Sequence, residues 1–117
     1  MTAATAGHVA PIVSDRLDLI GPGGRSLRIG VRTELGKAVV REFGPEGEFW
    51  DHRQCVLERR DGRQGFVAPL AGTVNETLVN GEALTSLRPL RQGDLIAVGR
   101  QAKGIVKLPL TARGVAS

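Results

Sequence analysis

Turn-forming residues interrupt this chain roughly every eight to twelve positions. That spacing leaves room for short strands and for no helix of three turns. Sixteen glycines supply most of the punctuation. Between the breaks the pattern alternates. Arg16-Leu-Asp-Leu-Ile20 is followed by Gly21-Pro-Gly-Gly24, which must turn, and Ser26 to Arg32 then places Leu27, Ile29 and Val31 on one face. Leu35 to Val40 reads as a third strand, and Phe43 to Glu48 as a loop in which two glycines and a proline forbid regular structure. Gln54 to Arg59 puts Cys55 and Leu57 on one face, and Asp61-Gly62 turns the chain into Gln64 to Ala68. Asn80-Gly81 tolerates the positive φ angles of a type I′ turn. Gln92-Gly-Asp94 turns again before the apolar run Leu95 to Val98, and Gly104 to Leu110 ends the core, with Pro109 marking an edge or a strand end. The expectation is an all-β sandwich of short antiparallel and mixed strands over residues 14–112, with a flexible arm over 1–13 and a tail over 113–117.

A chain of 117 residues buries roughly two-thirds of its unfolded surface, enough for one core without metal or disulfide staples. Cys55 is the only cysteine, so no intramolecular disulfide can form. No run approaches the ~20 apolar residues that span a bilayer, and Met1 to Ala10 lacks the basic start and apolar centre of a secretory signal. A cytoplasmic, reducing location without membrane attachment is therefore expected. Export would also be needed to give meaning to the sequon Asn75-Glu76-Thr77. The formal charge of +4 favours anionic partners, but twelve carboxylates are interspersed among the cations. Four aromatic residues, Phe43, Phe49, Trp50 and Phe66, are too few for a base-stacking platform, which disfavours nucleic acid. Trp50 reads as a core anchor at the base of a loop.

Catalysis finds no constellation. His52 and Cys55 stand three apart, which on a strand points them to opposite faces and leaves Cys55 toward the core, where a thiol is inert. With His8 and His52 the only histidines and no acidic cluster, neither a metal nor a cofactor is expected. The reading is non-enzymatic.

Four stretches in order carry a family resemblance. Leu35-Gly-Lys37 is similar to Ile-Gly-Arg at the end of an early strand, and Asp51-His-Arg-Gln-Cys-Val56 to Ser-Arg-x-His-Ala. Thr73-Val-Asn-Glu-Thr-Leu-Val-Asn-Gly81 is similar to Ser-x-Asn-Gly-Thr-x-x-Asn-Gly, and Gln92-Gly-Asp-Leu-Ile-Ala-Val-Gly99 to Gly-Asp-x-Ile-x-x-Gly. Together, from Arg16 to Leu110, the chain resembles the forkhead-associated domain, a β-sandwich whose loops at one end hold phosphothreonine peptides. The resemblance implies a protein or peptide partner, phosphothreonine-containing segments included. Gly30-Val-Arg32 offers a second match to the Gly-Arg pair with a one-residue slip.

The departures bear on the ligand. The resemblance places Lys37, Asp51 and Val74 where the family's arginine, serine and the residue before the asparagine grip phosphate. Lys37 keeps the charge without the bidentate fork of arginine. A carboxylate at Asp51 within ~4 Å of a phosphate repels it by ~2 kcal/mol or more per unit charge at an effective dielectric of about 20 to 40. Val74 brings no side-chain donor. Asn75 retains the family's asparagine, whose implied task is to hydrogen-bond the peptide main chain, and Gln54, in place of the signature histidine, supports the loop. The candidate peptide-binding set is Lys37, Arg41, Asp51, His52, Arg53, Thr73, Val74 and Asn75, with Arg41, Arg53 and Arg32 as cations for a displaced phosphate. The expected function is a protein-interaction module with weakened or lost phosphate dependence. The alternative is an S4-type RNA-binding domain, whose closing strands resemble Leu78 to Ala83 and Leu90 to Val98 and which carries basic helices before them.

Overall fold

The computed structural model describes residues 11–61 and 63–115. Ten strands form two sheets: β1 (Arg16–Ile20), β2 (Ser26–Ile29), β3 (Arg32–Leu35), β4 (Cys55–Arg60), β5 (Gln64–Pro69), β6 (Glu76–Val79), β7 (Glu82–Ala83), β8 (Arg88–Pro89), β9 (Leu95–Arg100) and β10 (Ile105–Val115). One sheet has the order β2-β1-β10-β9-β6-β7 and the other β3-β4-β5-β8. Every ladder among the described residues is antiparallel, narrower than the antiparallel-and-mixed expectation. For β1–β2, β4–β5, β6–β7 and β9–β10 the short connections require it, since parallel neighbours need long crossovers.

The alternation read from the sequence places the core. Leu17 and Leu19 of β1, Cys55 and Leu57 of β4, Ile96 and Val98 of β9, and Leu110 and Ala112 of β10 are buried in one cluster between the sheets. Trp50 is the largest side chain in it, as expected for an anchor. Burial pushes the Cys55 thiol up to about 12, so it stays protonated and unreactive in the folded protein.

Both ends of the sandwich depart from the expected boundaries. Residues 1–10 of the expected arm lie outside the described residues, but its last three belong to the domain. Ile12 is buried and exchanges backbone hydrogen bonds with Leu90 and Gly65 at 2.9 and 3.1 Å. At the other end β10 continues through Val115, into the expected tail.

Three strand readings are corrected. Val31 is exposed because β2 stops at Ile29 and the chain crosses there to the other sheet, which ends the alternation. The expected strand from Leu35 to Val40 is strand only to Leu35. Lys37–Val40 forms a one-turn helix, α1, followed by 3₁₀ turns at Arg41–Phe43 and Pro45–Phe49 where a loop was expected. β-branched Val39 and Val40 favour a strand locally, but Val40 reaches the core from the helix, and that burial outweighs propensity. Pro109 lies within β10, an interior strand, at a bulge between Lys107 and Leu110 where no ladder donor is required of it.

The turn readings hold where local chemistry decides them. Asn80 and Gly81 have φ angles of +53° and +84°, as a type I′ turn requires. The Asn80 amide Nδ2 donates to Asp94 Oδ1, and the Leu95 N–H donates to Asn80 Oδ1, both at 2.9 Å. These bonds join the Asn-Gly and Gly-Asp motifs and fix one end of β6. Asn75 precedes the other end.

Candidate functional site

Register brings four loops to one end of the sandwich. Leu35 pairs with Cys55, which sets residues 36–37 beside 50–54, and Glu76 pairs with Gly99, which sets 73–75 beside the β9–β10 hairpin. The first pair of loops is in backbone contact. The Gln54 N–H donates to Leu35 O and the Lys37 N–H to Asp51 O, each at 2.9 Å. A Cβ on Gly36 would sit 1.7 Å from the His52 carbonyl oxygen, so only glycine fits this approach.

Gln54 bolts the two sheets together at this end. Its buried Oε1 accepts the Asp51 N–H at 2.9 Å, while Nε2 donates to Asn75 O at 3.1 Å and Thr77 Oγ1 at 2.8 Å. This is the supporting role expected of Gln54, and it fixes the height of Asn75 relative to Asp51.

Asp51 and Asn75 then make two bonds that determine what this end can hold. Asp51 Oδ2 accepts the Val74 backbone N–H at 2.7 Å. The Asn75 Nδ2 donates to Phe49 O at 2.9 Å, which also settles the orientation of the amide, because a carbonyl oxygen can only accept. On its far side the Val74 peptide is held too, with Arg100 Nη2 donating to Val74 O at 2.8 Å. Val74 is thus clamped between a carboxylate and a guanidinium, with its side chain 69% exposed at the loop tip.

Beyond Asn75 the surface falls into a groove of about 370 Å³ lined by Phe49, Asn75, Gly99, Arg100, Lys103, Ile105 and Lys107. Three of these carry positive charge and none is a carboxylate. Lys107 Nζ lies 5.1 Å from the Phe49 ring centroid and 3.9 Å from Glu46 Oε2.

No protein-family model matches the sequence, and neither does any curated protein. Solved structures do match. A structure described as an analysis of phosphothreonine-dependent forkhead-associated domain interactions superposes with a TM-score of 0.66 at 19% identity, over 87% of this chain and 99% of that one. The forkhead-associated domain of an Arabidopsis thaliana hypothetical protein gives 0.68 at 21% identity, over 95% of each chain. The chain has the forkhead-associated fold. Mycobacterium tuberculosis EmbR, described in complex with a low affinity phosphopeptide, matches with a TM-score of 0.66 at 18% identity, over 87% of this chain and 25% of that longer one.

On the forkhead-associated fold the two alternative readings close. Arg32 pairs with Glu58 at the far end of β3, about 10 Å along the strand from Leu35, so the slipped Gly30-Val-Arg32 match falls away. The S4-type alternative also fails, because Arg16 to Pro69, where it needs helices, is strands with one short α-helical turn and two 3₁₀ turns.

The predicted residues divide by position. Lys37, at the start of α1, is joined by the bonds above to the loops that carry Asp51, Val74 and Asn75, and His52 lies beside Asp51 with its carbonyl against Gly36. Arg53 is turned to Glu34, bonding it at 2.7 and 3.1 Å, and its guanidinium holds the Glu34 carboxyl below the usual range. Arg41 begins the 3₁₀ turn after α1, its backbone packed on Gly47, and no bond ties it to Asp51 or Asn75 among the described residues. Thr73 lies partly buried beside Val74. His52 is exposed and Cys55 buried, which separates that pair as expected. Phe49, Arg100, Lys103 and Lys107 were not singled out in sequence. The only signal was the pair of cations just before Gly104, Arg100 and Lys103, which resembled any solvated hairpin.

Proposed function

We propose that this chain is a non-catalytic protein-interaction module that holds an extended peptide at the 35–41, 51–54 and 73–76 loops, with its dependence on phosphate weakened. The reading is supported first by the fold, shared with structures described by phosphothreonine-dependent interactions and a bound phosphopeptide. Its weight rests on one observation: the Asp51 carboxylate takes the Val74 N–H. A backbone N–H at a loop tip is a natural donor to an anion. Here an internal anion fills that role, and the same negative charge opposes a phosphoryl group placed beside it. Lys37 is left as the single cation of the three family phosphate positions.

Main-chain recognition is unaffected by this substitution of charge. Asn75 spends one amide hydrogen on Phe49, and among the described residues its Oδ1 meets no donor, so it can accept a peptide N–H. Asn75→Ala is expected to weaken binding of peptides selected from a random array by about 10-fold, the loss of one or two directed hydrogen bonds. Isothermal titration checks this, with thermal unfolding alongside to show that the loop keeps its stability. Unchanged affinity in a folded Asn75→Ala protein would remove the loop end from the binding site.

A further inference from the structure

The β9–β10 hairpin builds a groove lined by three cations that the loop motifs do not call for. Arg100 precedes the turn Gln101–Lys103, Lys103 ends it, and Lys107 follows on β10. Their charges are not equally balanced. Arg100 bonds the neutral Val74 carbonyl, and no ion pair involves Lys103 among the described residues, while Lys107 shares Glu46 at 3.9 Å. Two carboxylates adjoin the groove without lining it: Glu46 Oε1 accepts the Leu108 N–H at 2.9 Å while its Oε2 faces Lys107, and Glu76 Oε1 accepts the Gln101 N–H at 2.8 Å. Three cations line the cavity against two adjoining carboxylates, which leaves its charge balance positive.

The groove is also apolar in part. Phe49 and Ile105 are 40% and 39% exposed, large hydrophobic side chains left facing solvent beside the cations. Gly99 contributes by absence: a Cβ there would meet the Ile105 carbonyl oxygen at 1.8 Å, so the hairpin closes tightly against β9. Exposed apolar side chains interleaved with cations fit a peptide carrying carboxylates around an aliphatic or aromatic residue. A compact phosphoryl group would use the cations and leave the apolar surface bare.

We infer that this groove binds an acidic peptide segment, rich in Asp and Glu around one apolar anchor, and that Arg100, Lys103 and Lys107 supply the anion recognition missing at Asp51. The inference deepens the proposed peptide-binding reading and rests on it for the direction of the chain, which passes Asn75 into the groove.

The test uses a fluorescein-labelled peptide of Glu and Asp residues around a central Leu, a Gln/Asn counterpart of the same length, and fluorescence anisotropy at two salt concentrations. The acidic peptide is expected to bind about 10-fold tighter than the neutral one, with the preference falling as salt rises. The double variant Lys103→Gln/Lys107→Gln is expected to abolish that preference, whereas Arg28→Gln/Arg91→Gln, which removes the same charge elsewhere, leaves it. Amide shifts in the unsubstituted protein should centre on residues 99–107, a readout independent of any variant. Equal losses in the two double variants would reduce the effect to net charge and overturn the groove. So would tighter, groove-dependent binding of a short oligothymidylate, or a phosphothreonine peptide whose affinity ignores Lys103 and Lys107. If Asn75→Ala abolishes binding of both peptides while the groove variant does nothing, the loop reading stands and the groove fails. If neither variant nor either peptide shows binding, both fail.

Discussion

Asp51→Ser is expected to raise affinity for a phosphothreonine peptide by about 10- to 100-fold, the largest gain any single substitution should produce in this protein. Two effects act in the same direction. The Val74 N–H, now 2.7 Å from Asp51 Oδ2, becomes free to donate to the ligand. A unit negative charge is also withdrawn from beside the phosphate, which at ~4 Å and an effective dielectric of about 20 to 40 is worth roughly 2 to 4 kcal/mol per unit of ligand charge before screening. Asp51→Asn separates the two. Its amide oxygen can still accept from Val74, so it should recover the electrostatic part alone and fall between the parent and the serine variant. Calorimetric titration of the three proteins with one phosphopeptide gives the order. Equal affinities would mean that Asp51 does not face the ligand.

Trp50→Ala is expected to cost about 3 to 5 kcal/mol of stability, a large share of the roughly 5–15 kcal/mol typical of a domain. Trp50 is the largest fully buried side chain, and it fills the base of the loop that carries Asp51. Its indole N–H, however, is buried with no hydrogen-bond partner among the described residues. Trp50→Phe removes that unsatisfied donor along with part of the ring, so the relief offsets some of the cavity, and a cost under about 2 kcal/mol is expected. Urea unfolding followed by circular dichroism distinguishes the cases. If Phe proved as damaging as Ala, the indole N–H would have to be satisfied in solution.

What was legible in the sequence is what neighbouring residues decide among themselves. Asn80-Gly81 and Asp61 take positive φ because their own side chains and turn sterics favour it, and the alternation of Leu17, Leu19, Cys55, Leu57, Ile96 and Val98 names the core directly. What was hidden depends on partners distant in the chain. Val39 and Val40 look like strand residues until the core takes Val40 from a helical turn. Pro109 looks terminal until a bulge removes the need for its missing N–H. The candidate site divides in the same way. Gly36, Asp51 and Asn75 stand out as motif positions, whereas the Asp51 to Val74 bond spans 23 residues and the groove exists only because β6 pairs with β9. Arg41 and Arg53, near Asp51 in sequence, are carried to other neighbours by the helical turns and by Glu34.

Paired peptide arrays test the weakened phosphate dependence most directly. Each array member would be presented with threonine and with phosphothreonine at the same position, and dissociation constants measured for the best binders of either set. The pairs are expected to agree within about threefold, with affinity set by main-chain contacts and acidic flanking residues. A preference of about 30-fold or more for the phosphorylated member, abolished by Lys37→Ala, would contradict it and restore phosphate as the ligand of this end of the sandwich.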